Sequence, residues 1–249
     1  MSLPVHLVPS LDGVGVGDAV TVEGEEAHHA VAVRRLRVGE RVVLTDGQGT
    51  VATGEVTETG KRLFAVGVEE LRHEPAPAPE IVVVQALPKG DRGELAVEVL
   101  TEIGAARIVP WAASRSVAVW KGERAVKSHA KWVATAREAG KQARRAWTPE
   151  VAPLADTAVV AALLAEADLA LVLHEDAVAS FAAHDVPAAG RIAVVVGPEG
   201  GITEEEIAAF TAAGAHPVRL GAEVLRTSTA GVAAVAALLA RTPRWGSVV

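Results

Sequence analysis

The sequence predicts an α/β protein in two parts: a small β-barrel, then an open, mostly parallel sheet covered by helices on both faces. Three observations predict it. Before residue 73 the apolar residues fall in short Val- and Thr-rich runs separated by turn signals. Residues 73–80 read His-Glu-Pro-Ala-Pro-Ala-Pro-Glu, and alternating prolines fix φ and remove backbone donors, which favours an extended linker. Beyond it, apolar runs of strand length alternate with helix-length segments, the pattern of βαβ units. The expected division is a barrel at 1–73, a linker at 74–80 and an α/β domain at 81–249.

In the first part, strands are expected at Ala19–Val22, Arg41–Leu44, Thr50–Val56 and Leu63–Val68, with Asp46-Gly47 and Thr59-Gly60 as hairpin punctuation. Strands this short over about 70 residues suggest a small barrel. Glu26–Leu36 has the spacing of one helix, ended near Gly39. Gly13, Gly15 and Gly17 are not a dinucleotide loop, because no apolar strand precedes them and no helix follows.

In the second part, Ile81–Leu87 is a continuous apolar run, as expected of a strand buried on both faces. A helix over Asp91–Ile103 follows, with Leu95, Val99 and Ile103 on its apolar side and Gly104 as its stop. Arg107–Trp111 is the next strand, and a long basic helix spans about Glu123–Ala146. Asp156 caps a helix to Ala167; Leu169–His174 and Arg191–Val196 are strands. Thr203 and Glu206 form a capping box for a helix that Gly214 ends. Pro217–Leu220 is the last strand, and Ser228–Ala240 a final Ala-rich helix.

Composition narrows the function. There is no cysteine, which excludes disulfides, thiol nucleophiles and cysteine-ligated metal. No apolar run reaches the roughly 18 residues that cross a bilayer, and the first ten residues do not read as a secretory signal. A cytoplasmic protein without a membrane partner is expected. The net charge is −7, but it is segregated: residues 121–145 carry +6 and residues 28–41 carry +3, leaving −16 for the rest. Local field rather than total charge steers a polyanion. The alternative is two solvated faces, and Arg144-Arg145 reads equally as a charge pair at a helix C-terminus. His28-His29 is not expected to bind metal, because adjacent histidines on a helix diverge and no third ligand is evident.

In parallel sheets ligands bind beyond the carboxyl ends of the strands. Three such ends are unusual here: Leu173-His174-Glu175, Val196-Gly197-Pro198-Glu199-Gly200-Gly201, and the stretch from Leu220-Gly221 to Thr229-Ala230. The glycines let backbone groups approach a ligand. The middle loop is not a phosphate loop, since the Lys-Ser/Thr that should follow is replaced by Ile202-Thr203-Glu204-Glu205-Glu206.

These residues, with others along the chain, resemble the RsmE family of ribosomal RNA small-subunit methyltransferases, in the SPOUT class. The matching stretches run from His28-His29 through Arg35 to Gly39, then Leu87–Arg92, Thr101–Gly104, and Pro110 with Arg115-Ser116-Val117. They continue with Glu138, Gln142 and Arg145 ahead of Pro149, then Val196–Gly201, then Leu220-Gly221 with Leu225-Arg226-Thr227 and Thr229-Ala230. The chain departs from the pattern at Val99, where Lys is common, at Ile103 and at Ala146, where Asn is common.

The resemblance implies a PUA-like N-terminal barrel that helps hold RNA and a C-terminal domain tied in a trefoil knot. It implies S-adenosylmethionine as cofactor, a homodimer, and N3-methyluridine in 16S rRNA of the small ribosomal subunit as product. Cofactor contacts fall on Leu173, His174, Glu175, Val196, Gly197, Pro198, Glu199, Gly200, Gly201, Leu220, Gly221, Val224, Leu225, Arg226, Thr227, Thr229 and Ala230. Arg226 is expected to orient the base and stabilise its developing negative charge. Glu199 is the candidate proton acceptor by loop position, or else a cap on backbone amides. His29, Arg35, Lys89, Arg92, Arg115, Gln142 and Arg145 are candidate RNA contacts. Competing readings are a SPOUT enzyme acting on ribose 2′-OH or another base, and a non-catalytic RNA-binding assembly factor. A dehydrogenase is disfavoured, since no Gly-x-Gly-x-x-Gly turn follows Ile81–Leu87.

Overall fold

The computed structural model describes residues 3–246. They divide into two units. The first runs to Ala76 and takes back Gly140–Thr148; the second is Pro77–Ala139 and continues from Pro149.

In the first unit five strands form one sheet in the order β1-β3-β4-β5-β2: β1 (Val5–Leu7), β2 (Ala19–Glu23), β3 (Arg41–Thr45), β4 (Thr50–Thr59) and β5 (Leu63–His73). β1 is parallel to β3; the other pairs are antiparallel. Alternate residues Val42, Leu44, Val56, Phe64, Val66 and Val68 point into one core. The β4–β5 pairing shifts register between Thr53 and Gly54 and again between Val56 and Glu58. A Cβ on Gly54 would strike the Gly67 carbonyl, so only glycine permits that approach.

The single helix expected over Glu26–Leu36 is not formed. A short α1 (Gly24–His28) passes into a π-wound turn, His29–Val33, and the chain leaves through Arg35 at φ +58°. Ala27, Ala30 and Leu36 face the core. A regular helix would carry Arg34 to that face seven residues after Ala27; the widened turn delays the register, so that Arg34 and Arg35 stay exposed and Leu36 enters.

The long basic helix also ends early. α3 spans Gly122–Gln142, not to Ala146. The chain turns at Arg144 (φ +55°) and its next residues are bound into the first unit. Gly49 N–H donates to Ala146 O and Thr148 N–H to Gly47 O, both at 2.9 Å; Trp147 Nε1 donates to Glu74 O at 2.9 Å. Lys141 is buried, its Nζ 3.0 and 3.1 Å from the two oxygens of Glu26, whose Oε1 also meets His6 Nδ1 at 3.0 Å. Burial works against the Glu26 charge, but the His6 and Lys141 contacts hold its carboxyl below the usual range. Lys141 therefore does not contribute to an exposed basic face.

The second unit has six strands, all paired in parallel, in the order β11-β9-β10-β6-β7-β8. They are β6 (Glu80–Ala86), β7 (Arg107–Trp111), β8 (Glu150–Val151), β9 (Leu169–Leu173), β10 (Arg191–Val196) and β11 (His216–Val218). The two faces are separate cores, as a period of two requires. Ile81, Val83, Leu171 and Val194 pack with α2 (Arg92–Ile103), α3 and α6 (Thr227–Leu239). Val82, Val84, Val172 and Val195 pack with α4 (Thr157–Ala165) and α5 (Glu204–Ala212). A short α7 (Pro243–Gly246) closes the described chain.

The expected face of α2 is wrong. Gly93, Ala96, Val97 and Leu100 are buried, whereas Leu95 is exposed and Val99 and Ile103 are half-buried. The small residues face inward because the neighbours come close: a Cβ at Gly231 of α6 would lie 3.1 Å from Leu100, and one at Gly93 2.9 Å from Trp132 Nε1. The local stops are as expected: Gly104 takes φ +109° after α2, and Asp156 caps α4 by accepting from Val159 N–H at 2.9 Å. No helix among the described residues is long and apolar enough to cross a membrane.

Candidate active site

Strand register places three loops side by side. Leu173 on β9 is level with Val196 on β10 and with Val218 on β11, and Val196 is also level with Gln85 on β6. The residues that follow leave the sheet at one end and wall a cavity of about 650 Å³. Its lining includes Leu173-His174-Glu175, Val196 through Gly201, Leu220-Gly221, Val224 through Thr227, and Ala230. Arg92, the first residue of α2, and Arg115, in the loop after β7, line it too.

Thr229 is the exception among the expected cofactor contacts. It does not line the cavity; its hydroxyl donates to Arg226 O at 3.3 Å and stands exposed in the first turn of α6. Asp176, Ile202, Glu204, Arg219 and Glu223 also line the cavity and were not singled out from the sequence. Arg219 follows the observed end of β11, which stops at Val218 rather than Leu220; placing that end correctly would have found it.

The middle wall is held from behind. Gly197 cannot carry a Cβ, which would fall 2.7 Å from Ile202 Cγ1, and one on Gly200 would fall 3.0 Å from both Cβ and O of Arg115. Gly201 takes φ +77°. These glycines are explained first by how tightly the loop packs on its own domain. Arg115 Nη1 donates to Gly200 O at 3.3 Å. At the loop's far end the capping box is formed: Thr203 N–H donates to Glu206 Oε2 at 3.0 Å and Glu206 N–H to Thr203 Oγ1 at 3.2 Å. Glu206 reaches further, its Oε1 accepting from Ser114 N–H at 2.8 Å and Ser114 Oγ at 2.9 Å, with Thr157 Oγ1 at 3.3 Å. Burial opposes its charge, yet the Ser114 and Thr203 amides and the two hydroxyls hold its carboxyl below the usual range. That wider role was not legible, since Ser114 and Thr157 lie far away in sequence.

Glu199 is not a free carboxylate. Its Oε1 accepts from Lys89 N–H at 3.3 Å and lies 3.8 Å from Arg92 Nη1, so it ties the Lys89–Arg92 turn to the glycine loop. The outer wall is different. Gly221 through Arg226 are all exposed. Gln85 Nε2 donates to Thr227 O at 3.3 Å and fixes the start of α6. Arg226 sits just before that start, and its guanidinium makes no hydrogen bond or ion pair with another described residue.

The candidate RNA contacts separate by unit. His29, Arg35, Gln142 and Arg145 belong to the first; Lys89, Arg92 and Arg115 belong to the second. Among the described residues no group of three or more His, Asp or Glu is placed to hold a metal ion.

Comparison with known proteins agrees with this geometry. Residues 74–239 match the RNA methyltransferase domain family, and residues 22–69 the RNA methyltransferase PUA domain family. The chain is 43% identical to ribosomal RNA small subunit methyltransferase E of Mycobacterium bovis, over 92% of this chain and 89% of that protein. It is 30% identical to the Bacillus subtilis protein of the same name, over 88% of each. Among solved structures, the Neisseria gonorrhoeae ribosomal RNA small subunit methyltransferase E, crystallised with S-adenosyl methionine, superposes with a TM-score of 0.87. Its identity is 28%, covering 96% of this chain and 98% of that one. Likeness of this extent, carried through both units, makes the chain a member of the ribosomal RNA small subunit methyltransferase E family.

Proposed function

We propose that this chain transfers the methyl group of S-adenosylmethionine to N3 of a uridine in 16S rRNA, acting on the small ribosomal subunit in the cytoplasm as a homodimer. The observation that carries the reading is the cavity where three parallel-strand ends meet, with Arg226 at its mouth. The residues present fit the cofactor. A volume of about 650 Å³ is in the range of small-molecule sites, roughly 300–1,000 Å³. Leu173, Val196 and Leu220 offer an apolar wall, while Glu175, Asp176 and Glu223 favour a cation and Arg92 and Arg219 a carboxylate. Bound there, S-adenosylmethionine supplies an already activated methyl group.

The protein's own part is to orient, to exclude water and to manage charge. Holding the two reactants in line is worth roughly 7–11 kcal/mol. N3 of uridine carries a proton whose loss accompanies attack, and the exposed Arg226 guanidinium stabilises the negative charge that develops on the base. The N3 edge is hidden in paired RNA, so the nucleotide must be turned out to reach the cavity. Glu199 accepts from Lys89 N–H through Oε1 and lies 3.8 Å from Arg92 Nη1, which is the amide-capping role; as the candidate proton acceptor it would also take the proton that leaves N3. His29, Arg35, Gln142 and Arg145 hold RNA from the first unit, and the trefoil threading of Leu220–Ala230 belongs to the same reading. A second copy covers the apolar rim of Val224 and Leu225, 74% and 42% exposed. On this basis Leu225→Asp converts a dimer to a monomer in analytical ultracentrifugation.

The test is direct. Unmodified small subunits incubated with the protein and labelled cofactor should gain one 3-methyluridine, located by mass spectrometry of the digested rRNA. Label on a ribose or another base overturns the N3 assignment, and no incorporation overturns the reading.

A further inference from the structure

The buried length of β6 carries one polar residue. The strand reads Glu-Ile-Val-Val-Val-Gln-Ala, and Gln85 is 1% exposed between the fully buried Val84 and Ala86. By the period of two it shares a face with Ile81 and Val83, the face that α6 covers. A methionine or leucine would fill that place without burying a polar group, so packing does not call for an amide there.

Two carbonyl oxygens face the side chain. Gln85 Nε2 donates to Ala86 O at 3.1 Å and to Thr227 O at 3.3 Å. With acceptors as both neighbours, the amide nitrogen and not its oxygen must point at them. Thr227 is the first residue of α6, and Arg226 is the N-cap. The chain that leads into Arg226 does not hold it: Leu220 through Leu225 make no hydrogen bond with another described residue. Arg226 is therefore placed from its C-terminal side. There Arg226 O accepts from the N–H groups of Thr229 and Ala230, both at 2.9 Å. One turn on, α6 lies against the sheet, where a Cβ on Gly231 would fall 3.4 Å from Val196 and 3.6 Å from Val83. Such packing sets how closely α6 approaches the sheet. Apolar contact has no direction, so it does not fix a slide or a turn about the helix axis. A hydrogen bond to the first residue does.

We infer that Gln85 is a positioning residue for methyl transfer: through Thr227 O it pins the first turn of α6 and, with it, Arg226 at the mouth of the cavity. The inference rests on the reading of Arg226 as the group that stabilises charge on the base. It adds a residue that acts only through another, since Gln85 does not line the cavity.

A double-mutant cycle tests it. Gln85→Met keeps the length of the side chain and removes the donor; Gln85→Leu removes it with a different shape, so that the outcome does not hang on one packing. Each is made alone and together with Arg226→Ala. Single-turnover methylation of small subunits is followed at saturating labelled cofactor, beside calorimetry with S-adenosylmethionine and thermal unfolding. Alone, each Gln85 variant should methylate about tenfold more slowly than wild type. It should bind cofactor within about threefold of wild type and melt roughly 2–4 °C lower. Combined with Arg226→Ala, the same substitutions should slow the rate less than about twofold further, because the group they misplace is already gone. A further tenfold loss in the combined variants, a wild-type rate in the single ones, or lost cofactor binding overturns the inference, since Gln85 would then serve the fold alone. Wild-type turnover in Arg226→Ala brings down the reading beneath it; a slow Arg226→Ala beside fast Gln85 variants leaves that reading standing.

Discussion

The two loops that wall the cavity are built in opposite ways. Gly197–Gly201 is pressed against its own domain, with Ile202 and Arg115 occupying the space where side chains would be, and Glu206 clamping the helix that follows. Gly221–Arg226 is exposed throughout; a Cβ on Gly221 would meet Glu223 Oε2 at 3.7 Å, an ordinary contact. One loop is finished by the fold, and the other is left open for something to cover. A site that must hold one ligand in a fixed pose and admit a second, larger one needs both kinds of wall.

That contrast can be broken by substitution, with the largest effect expected on the open side. Arg226→Ala should lower the methylation rate about 10²- to 10³-fold, the usual loss for one charge-stabilising donor. Cofactor affinity by calorimetry should stay within about threefold; wild-type turnover would remove Arg226 from the mechanism. On the closed side Gly200→Ala forces a Cβ against the Arg115 backbone. We expect about tenfold weaker cofactor binding and about 1–2 kcal/mol lower stability in denaturant unfolding.

Glu206→Gln tests the clamp. The folded carboxyl lies below its ordinary value of 4.5. Its stabilisation is therefore complete above that value and lost as pH falls through the lower folded one. The variant should melt roughly 3–8 °C lower at pH 7 and lose less on acidification than the wild type. An unchanged melting curve between pH 7 and 3 would show that Glu206 carries no such load. The smallest effect on stability belongs to Gly221→Ala, where the new methyl group meets the chain only at an ordinary contact distance: unfolding free energy should change by less than about 0.5 kcal/mol. A large loss there would erase the distinction between the walls.

Much of the second unit could be read from the chain because its signals are local. A continuous apolar run such as Ile81–Leu87, a Gly stop at 104, and Thr203 three residues before Glu206 each act within a single element. Two helix lengths and one helix face could not be read. Glu26–Leu36 is widened because Arg34 must be kept from the core. α3 stops at Gln142 because Ala146, Trp147 and Thr148 find partners on Gly49, Glu74 and Gly47, far earlier in the chain. The α2 face was misread because close helix packing selects small residues, and the large apolar ones stay at the edge. Within the site, every expected cofactor contact but Thr229 lines the cavity, while Asp176, Ile202, Glu204, Arg219 and Glu223 line it without having been singled out. The partners of each group were not legible: Glu199 accepts from Lys89 N–H, the capping alternative whose partner the sequence did not name, and Glu206 reaches Ser114 and Thr157.

By itself the sequence determined the alternation of strands and helices, the glycine loops at the strand ends and the family to which they belong. Those follow from periodicity, turn chemistry and motif, which reach only a few residues. Only the tertiary structure decided that residues 140–148 join the barrel unit, that Lys141 is spent on Glu26, and that two helix ends carry left-handed arginines. Those outcomes depend on which distant backbone and side-chain groups satisfy one another's hydrogen bonds, and chain order does not encode that pairing.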